Sequence, residues 1–143
     1  VQLDLDDLWQ PAKNSAMALP IYTNKIAAGF PSPADDHIES SLDLNEYLVQ
    51  RPAATYYVRV TGESMIGAGI HPDDILVVDR SIEPIDGKII IASLNGELTV
   101  KRLSKQKGKI YLLPENKAFK PIEVGQETDF RIWGVVTSVI HQL

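Results

Sequence analysis

The chain has 143 residues, no cysteine and a formal net charge of −5. This length suits one domain of ordinary size, and 44% hydrophobic residues suffice for a packed core. The absence of cysteine excludes disulfides, a thiolate nucleophile and cysteine-bound zinc or iron–sulfur sites. No apolar run reaches the about 20 residues of a membrane helix, and no signal peptide is recognisable. We therefore expect a cytoplasmic protein that does not associate with membranes.

The charge is unevenly distributed along the chain. Residues 29–87 contain eleven acidic and three basic side chains, a net −8, whereas residues 88–143 have a net charge of +4. One interpretation is ordinary solvation of loops, and the other is two oppositely charged faces that assist self-association or steer a partner. The acidic total disfavours a protein that binds DNA through bulk positive charge.

The first 33 residues differ in pattern from the rest. Four prolines interrupt this stretch and no hydrophobic period continues through it, so we predict an extended arm with a short strand at residues 21–23. The stretch is too short for the three-helix unit of a DNA-binding helix-turn-helix domain. The sequence therefore predicts no direct, sequence-specific binding of DNA.

The remainder is predicted to be mostly β, with one short helix at residues 43–49. Ser40, Ser41 or Asp43 is suited to cap this helix, and Pro52 lies just beyond its end. Asn95-Gly96 is a strong hairpin signal, and residues 105–108 form a second predicted turn, so that the Ser-x-x-Lys pattern at residues 104–107 is interpreted as a basic turn. Alternating β-branched and aromatic residues predict six strands at residues 55–60, 75–79, 88–94, 97–103, 110–113 and 130–140. These strands favour a curled or barrel-like sheet.

A glycine-flanked turn makes Ser64 a candidate nucleophile. The segment Gly62-Glu63-Ser64-Met65-Ile66-Gly67 follows a predicted strand, and such a turn can present a hydroxyl and direct backbone N–H groups at an oxyanion. A serine nucleophile needs a base. A triad with His71 and Asp73 can be drawn, although no spacing requires it, and an ordinary turn serine is the alternative.

Lys101 is the other candidate base. It lies in the middle of a predicted strand, on the same face as Thr99 and Leu103, and burial there would lower its pKa towards neutrality. The alternative is an exposed lysine that protects a sheet edge.

No metal or cofactor site is recognisable in the sequence. There are only three histidines, His37, His71 and His141, and the last is expected to be exposed. The carboxylates around the strand ends are expected to face water; they are Asp73, Asp74, Asp79, Glu83 and Asp86.

Three separated segments, in this order, resemble the LexA-like self-cleaving serine peptidases. They are Ala28-Gly29, Gly62-Glu63-Ser64-Met65 and Glu97-Leu98-Thr99-Val100-Lys101-Arg102. The similarity is greatest to the UmuD-like branch, runs from about residue 21 to the end, and includes Trp133-Gly134-Val135-Val136-Thr137. The resemblance implies a curled β-sheet peptidase domain at residues 29–143 behind a cleavable arm at residues 1–28.

The resemblance also implies a role for each matching residue. Ser64 would be the nucleophile, Lys101 the general base, and Ala28–Gly29 the bond that is cut. The backbone N–H groups of Glu63 and Ser64 would form the oxyanion hole.

The resemblance further implies partners. A RecA filament on single-stranded DNA would stimulate self-cleavage in the SOS response to DNA damage. The product would be a homodimer that joins a UmuC-type subunit of an error-prone translesion DNA polymerase. Three alternatives stay open: a non-catalytic interaction module, a LexA-type repressor core without its DNA-binding domain, and a signal peptidase.

Overall fold

The computed structural model describes residues 8–9, 16–22, 25–29 and 38–143. The chain divides into two compact units, one of Ala12–Gln50 and a larger one of Val1–Pro11 with Arg51–Leu143. This boundary is structural, whereas the predicted division after Ala28 concerns cleavage and stays a prediction. In the described part of the chain, no helix has both the length and the apolar character needed to cross a membrane.

The described residues are mostly β, as predicted. They contain a single α-helix, α1 (Leu44–Leu48). Their strands are, in chain order, β1 (Leu8–Trp9), β2 (Ala18–Tyr22), β3 (Ile38–Asp43), β4 (Thr55–Arg59), β5 (Ile75–Asp79), β6 (Ile89–Leu94), β7 (Glu97–Gln106), β8 (Lys109–Leu113), β9 (Ile122–Val124) and β10 (Phe130–Ile140).

The smaller unit contains an antiparallel pair of strands followed directly by α1. β2 pairs with β3, so the predicted strand is present at residues 21–22 and begins earlier in the chain, while residue 23 of the prediction lies outside the described residues. Asp43 caps α1 as predicted, because its Oδ1 accepts a hydrogen bond of 2.9 Å from the N–H of Asn45. Its Oδ2 accepts a bond of 3.0 Å from the N–H of Met17. This carboxylate therefore joins the start of the helix to the chain just before β2.

The larger unit is built on one sheet with the order β1-β4-β5-β10-β6-β7-β8-β9. All of its neighbouring strands are antiparallel. The six predicted strands are all present, whereas β1, β3 and β9 were not predicted. The predicted turn at residues 105–108 was wrong in extent, because the pairing of β7 with β8 continues to Gln106 and Lys109. Ser104 is consequently a buried strand residue.

The β6–β7 hairpin places Lys101 in the middle of the sheet. Asn95 and Gly96 both have positive φ, 50° and 85°, as a two-residue hairpin turn with the twist of the sheet requires. This turn fixes the register, so that Leu94 pairs with Glu97 and Ile90 pairs with Lys101.

Two apolar clusters form the core of the larger unit. One includes Met65 and Ile70 of the segment that carries the candidate serine, which are 2% and 1% exposed. The other includes Ile90, Leu103 and Leu112. Met65 directly follows Ser64, so burial of its side chain anchors the loop that carries the candidate nucleophile.

Candidate active site

The chain between β4 and β5 presents Ser64 at a tight turn. A 3₁₀ turn, Ile66–Ala68, follows at once, and the N–H of Ile66 donates to the carbonyl of Glu63 over 3.4 Å. The N–H of Ala68 and that of Ile70 both donate to the carbonyl of Met65. Ser64 itself is half-buried, so its hydroxyl lies on a rigid loop that keeps some access to solvent.

The structure brings Ser64 and Lys101 together, although they are 37 positions apart in the chain. The Nζ atom of Lys101 lies 3.0 Å from the Oγ atom of Ser64. It also lies 2.7 Å from the Oγ1 atom of Thr99 and 3.1 Å from the carbonyl oxygen of Val100. These distances are within the normal range for hydrogen bonds, and the contact with Thr99 agrees with the predicted shared face of the strand. The arrangement is suited to transfer of a proton from the hydroxyl to the amine.

Burial of Lys101 leaves more of its amine neutral at a given pH than in an ordinary lysine. Its residue is 9% exposed, so it is not the solvated edge lysine of the alternative interpretation. Desolvation by burial lowers the pKa of Lys101 from its ordinary value of 10.5, because the low-dielectric surroundings disfavour the ammonium form. A larger fraction of the amine is therefore neutral at a given pH, and only the neutral amine can accept a proton.

A second segment, between β8 and β9, holds the serine loop from outside. The N–H of Glu115 donates to the carbonyl of Ser64 over 2.8 Å, and the N–H of Gly67 donates to the carbonyl of Glu115 over 2.7 Å. The side-chain Nδ2 of Asn116 donates to the carbonyl of Glu63 over 2.9 Å. A Cβ atom on Gly67 would lie only 2.5 Å from the carbonyl oxygen of Glu115, so this close approach requires glycine.

Arg102 links this supporting segment to the strand that carries the lysine. Its Nε donates to Oε1 of Glu115 over 2.6 Å, and its Nη1 donates to the carbonyl of Gly87 over 2.7 Å. Successive residues of β7 point to opposite faces, so Lys101 contacts Ser64 while Arg102 holds the segment that supports the serine loop. The supporting role of Glu115 was not predicted from the sequence. The one sequence feature that hinted at it is Arg102, a basic residue directly beside the candidate base Lys101.

Two backbone N–H groups lie beside the hydroxyl of Ser64. Among the hydrogen bonds within residues 51–143, none uses the N–H of Glu63 or of Ser64 as its donor. Both groups lie in the turn that presents the Ser64 hydroxyl, which is where an acyl-transfer site needs donors for a developing oxyanion.

The predicted cleavage site lies in the smaller unit. Ala28 and Gly29 form an exposed bend, and a Cβ atom on Gly29 would meet no atom of the described residues within 4 Å. An exposed, sterically unconstrained peptide is suited to enter a protease site. Its role as the bond that is cut stays a prediction.

The predicted solvation of the strand-end carboxylates was wrong for two of them. Asp74 and Asp79 are only 2% and 3% exposed. Asp79 is compensated by hydrogen bonds from Arg51 Nη1 at 3.0 Å and from the N–H and hydroxyl of Ser81 at 2.8 and 2.6 Å. Burial of Asp79 acts to raise its pKa, but the bonds from Ser81 and Arg51 outweigh burial and the pKa is lowered.

His71, the base of the alternative triad, contacts a different pair of residues. Its Nδ1 lies 3.7 Å from Oδ2 of Asp74, and its ring lies beside that of His141. The group that hydrogen-bonds Ser64 is Lys101, so the lysine pairing is the one that the geometry favours.

The chain is similar to known proteins along most of its length. The chain matches the Peptidase S24-like family over residues 20–137. It is 45% identical over 133 residues to protein SamA of Salmonella typhimurium, covering 93% of this chain and 90% of SamA. It is 44% identical over 121 residues to protein MucA of Escherichia coli, covering 84% and 82%. The match to LexA repressor 1 of Xanthomonas axonopodis is 40% over 131 residues, 91% of this chain and 64% of the repressor.

Proposed function

This chain belongs to the Peptidase S24-like family of serine peptidases, and we propose that it cuts its own Ala28–Gly29 peptide bond with Ser64 as nucleophile and Lys101 as general base. The similarity to SamA and MucA over most of the chain supports a self-cleaving peptidase of the SOS response.

One observation carries the assignment of the dyad. The amine of a lysine that is 9% exposed lies 3.0 Å from the hydroxyl of a serine on a glycine-flanked turn. Burial of an unpaired cation is unfavourable, so a structural role alone gives no reason to place a lysine there. A non-catalytic interaction module would not need this pairing, and the geometry therefore favours a peptidase.

The first half of the proposed reaction is acylation. Lys101 Nζ, in its neutral form, takes the proton of Ser64 as Oγ attacks the carbonyl carbon of Ala28. The N–H groups of Glu63 and Ser64 donate to the oxygen that becomes negative in the tetrahedral intermediate. Collapse of this intermediate breaks the bond to the nitrogen of Gly29, and the ammonium of Lys101 returns its proton to that leaving amine. The peptide bond between the arm and residues 29–143 is then broken, and residues 1–28 are held as an ester on Ser64 until water releases them.

The second half is hydrolysis of the ester. Lys101, neutral again, takes a proton from a water molecule that attacks the same carbonyl carbon. The ester bond breaks, Ser64 Oγ regains a proton from Lys101, and residues 1–28 leave with a new carboxylate at Ala28. The net change is one peptide bond and one water consumed, with the enzyme unchanged apart from the loss of its arm.

The proposed partners follow from the same family. We propose that a RecA filament on single-stranded DNA stimulates the cleavage, and that the product of residues 29–143 forms a homodimer that joins a UmuC-type polymerase subunit. In this scheme the partners contact the nucleic acid. A LexA-type repressor core is the competing assignment, and recovery of a translesion polymerase subunit with the cleaved product would distinguish the two.

Mass spectrometry of the whole chain tests the proposal. Incubation with RecA, nucleotide and single-stranded DNA should give two fragments that separate between Ala28 and Gly29. Without RecA, cleavage should accelerate from about pH 7 to about pH 10 as Lys101 loses its proton. Ser64→Ala and Lys101→Ala should each abolish both reactions, whereas Lys105→Ala, which changes an exposed lysine of the same strand, should cleave normally. Cleavage that survives Ser64→Ala or Lys101→Ala would refute the dyad.

A further inference from the structure

Two histidines and a buried aspartate meet at one end of the large sheet, outside the peptidase site. β5 and β10 are antiparallel neighbours, and Ile75 at the start of β5 pairs with Ile140 at the end of β10. Asp74 immediately precedes β5 and His141 immediately follows β10, so the register of the sheet makes them neighbours. His71 lies in the turn three residues before Asp74.

The carboxylate of Asp74 lies between the two imidazoles. Its Oδ1 lies 2.5 Å from Nδ1 of His141, and its Oδ2 lies 3.7 Å from Nδ1 of His71. The two rings have centroids 5.2 Å apart and are inclined by 47°. One ligand atom from each of the three residues can be chosen so that all lie within 4.8 Å of one another.

The three side chains differ in exposure in a way that suits a ligand site. Asp74 is 2% exposed and is fixed by the N–H of His71, which donates to Oδ2 over 2.8 Å. The side chains of His71 and His141 are 49% and 47% exposed, so solvent and ions reach them.

We propose that His71, Asp74 and His141 bind a zinc ion, with water completing a tetrahedral coordination. Two imidazoles and one carboxylate are a ligand set that zinc accepts readily and that magnesium and calcium do not favour. Ligand atoms at about 2.0–2.2 Å from a tetrahedral ion lie about 3.4 Å apart. The separations of 2.5 and 3.7 Å therefore adapt through small rotations of the two exposed rings, and the ion replaces the hydrogen bond between His141 and Asp74.

Zinc at this position would link the segment that follows β10 to the turn that precedes β5, which is next to the serine loop. Asp73 and Asp74 exchange two hydrogen bonds of 2.8 Å with Val60, the residue just after β4, from which the chain enters that loop. The ion would therefore stabilise the larger unit without taking part in peptide cleavage. This site goes beyond the proposed function, and it is one that the sequence had not predicted.

Titration of the metal-free full chain with zinc chloride, followed by isothermal calorimetry and thermal melting, tests the site. We expect one zinc per chain with a Kd below about 10 µM, a higher melting temperature with zinc, and no effect of magnesium chloride. His71→Gln and His141→Gln should each weaken zinc binding at least about tenfold. His37→Gln, which changes the remaining histidine, should bind as the parent does.

Both glutamine variants change exposed side chains, and their melting without metal reports whether they fold like the parent. A Kd for zinc above about 10 µM in the parent would overturn the proposal. Equal zinc binding by the parent, His71→Gln and His141→Gln would also overturn it. Loss of binding in His37→Gln alone would also overturn it.

Discussion

The close approach of Gly67 to Glu115 gives a prediction whose size can be worked out from the structure. In Gly67→Ala, the new Cβ atom would lie 2.5 Å from the carbonyl oxygen of Glu115, while real Cβ contacts essentially never fall below 3.0 Å. The segments that contain Gly67 and Glu115 must therefore separate by about 0.5 Å or more, because the carbonyl oxygen belongs to the backbone and cannot rotate away as a side chain could. This shift strains the Gly67–Glu115 hydrogen bond and displaces the segment whose N–H binds the carbonyl of Ser64.

Two consequences of this substitution can be measured. Overpacking of this kind costs about 1–3 kcal/mol, which for a chain of this size lowers the melting temperature by about 3–10 °C. Displacement of the serine loop relative to Lys101 should slow self-cleavage by about 10- to 100-fold, because catalytic groups tolerate shifts of well under 1 Å. Calorimetry gives the first value, and the rate of appearance of the fragment of residues 29–143 gives the second.

Gly125→Ala is the matched control for this experiment. Its Cβ atom would make an ordinary contact of 3.6 Å with Oγ1 of Thr128, so both its melting temperature and its cleavage rate should stay near those of the parent. If Gly67→Ala cleaves within about twofold of the parent and melts at the same temperature, the supporting segment does not position the serine.

Further predictions concern charged groups of the larger unit. Lys101→Met should melt at a higher temperature than the parent at pH 7, because burial disfavours the charged form of the lysine. The difference in melting temperature should shrink as the pH approaches 10.5, where the lysine of the unfolded parent also loses its proton. A lower melting temperature for the variant at pH 7 would contradict this prediction. Asp79→Asn should cost about 1–3 kcal/mol at pH 7, through the charged hydrogen bonds from Arg51 and Ser81. Because the pKa of Asp79 in the folded protein lies below 3.8, the difference in stability between the parent and Asp79→Asn should become smaller as the pH falls through and below that value. A difference that stays constant with pH in thermal melts would contradict this prediction. Glu115→Gln should cost less than about 1 kcal/mol, since both partners of its ion pair are one-third exposed, yet it should slow cleavage measurably; an unchanged rate would count against a positioning role.

Local patterns in the sequence predict the sheet well but not its edges. Alternation of residue type and Asn95-Gly96 are sufficient to predict the hairpin that carries Lys101, because both act through neighbouring residues. β9 has only three residues, too few to show a period, and β1 has two. β7 extends to Gln106 through polar residues because β8 supplies its hydrogen bonds, and that pairing cannot be seen in β7 alone.

Some residues of the candidate site can be predicted from their neighbours in the sequence, whereas others depend on contacts between distant parts of the chain. Ser64 and Lys101 were predicted as candidate nucleophile and candidate base, because a glycine-flanked turn and a strand lysine between apolar residues are local features of the sequence. The support from Glu115 was not, because it depends on which loop the fold brings beside Gly67. Asp74 was expected in water because carboxylates usually are, and its partner His141 lies 67 positions away.

The three neighbours of the Lys101 amine have a consequence for the movement of its proton. As an ammonium, the group donates to Ser64 Oγ, Thr99 Oγ1 and the carbonyl of Val100. As a neutral amine it has two N–H donors and one lone pair, which the same neighbours satisfy if the Ser64 hydroxyl turns to become the donor. No heavy atom needs to move between the resting and the reactive form. Loss of one proton from the Lys101 amine and rotation of the Ser64 hydroxyl would therefore prepare the pair for the proposed proton transfer, with the same heavy-atom framework before and after.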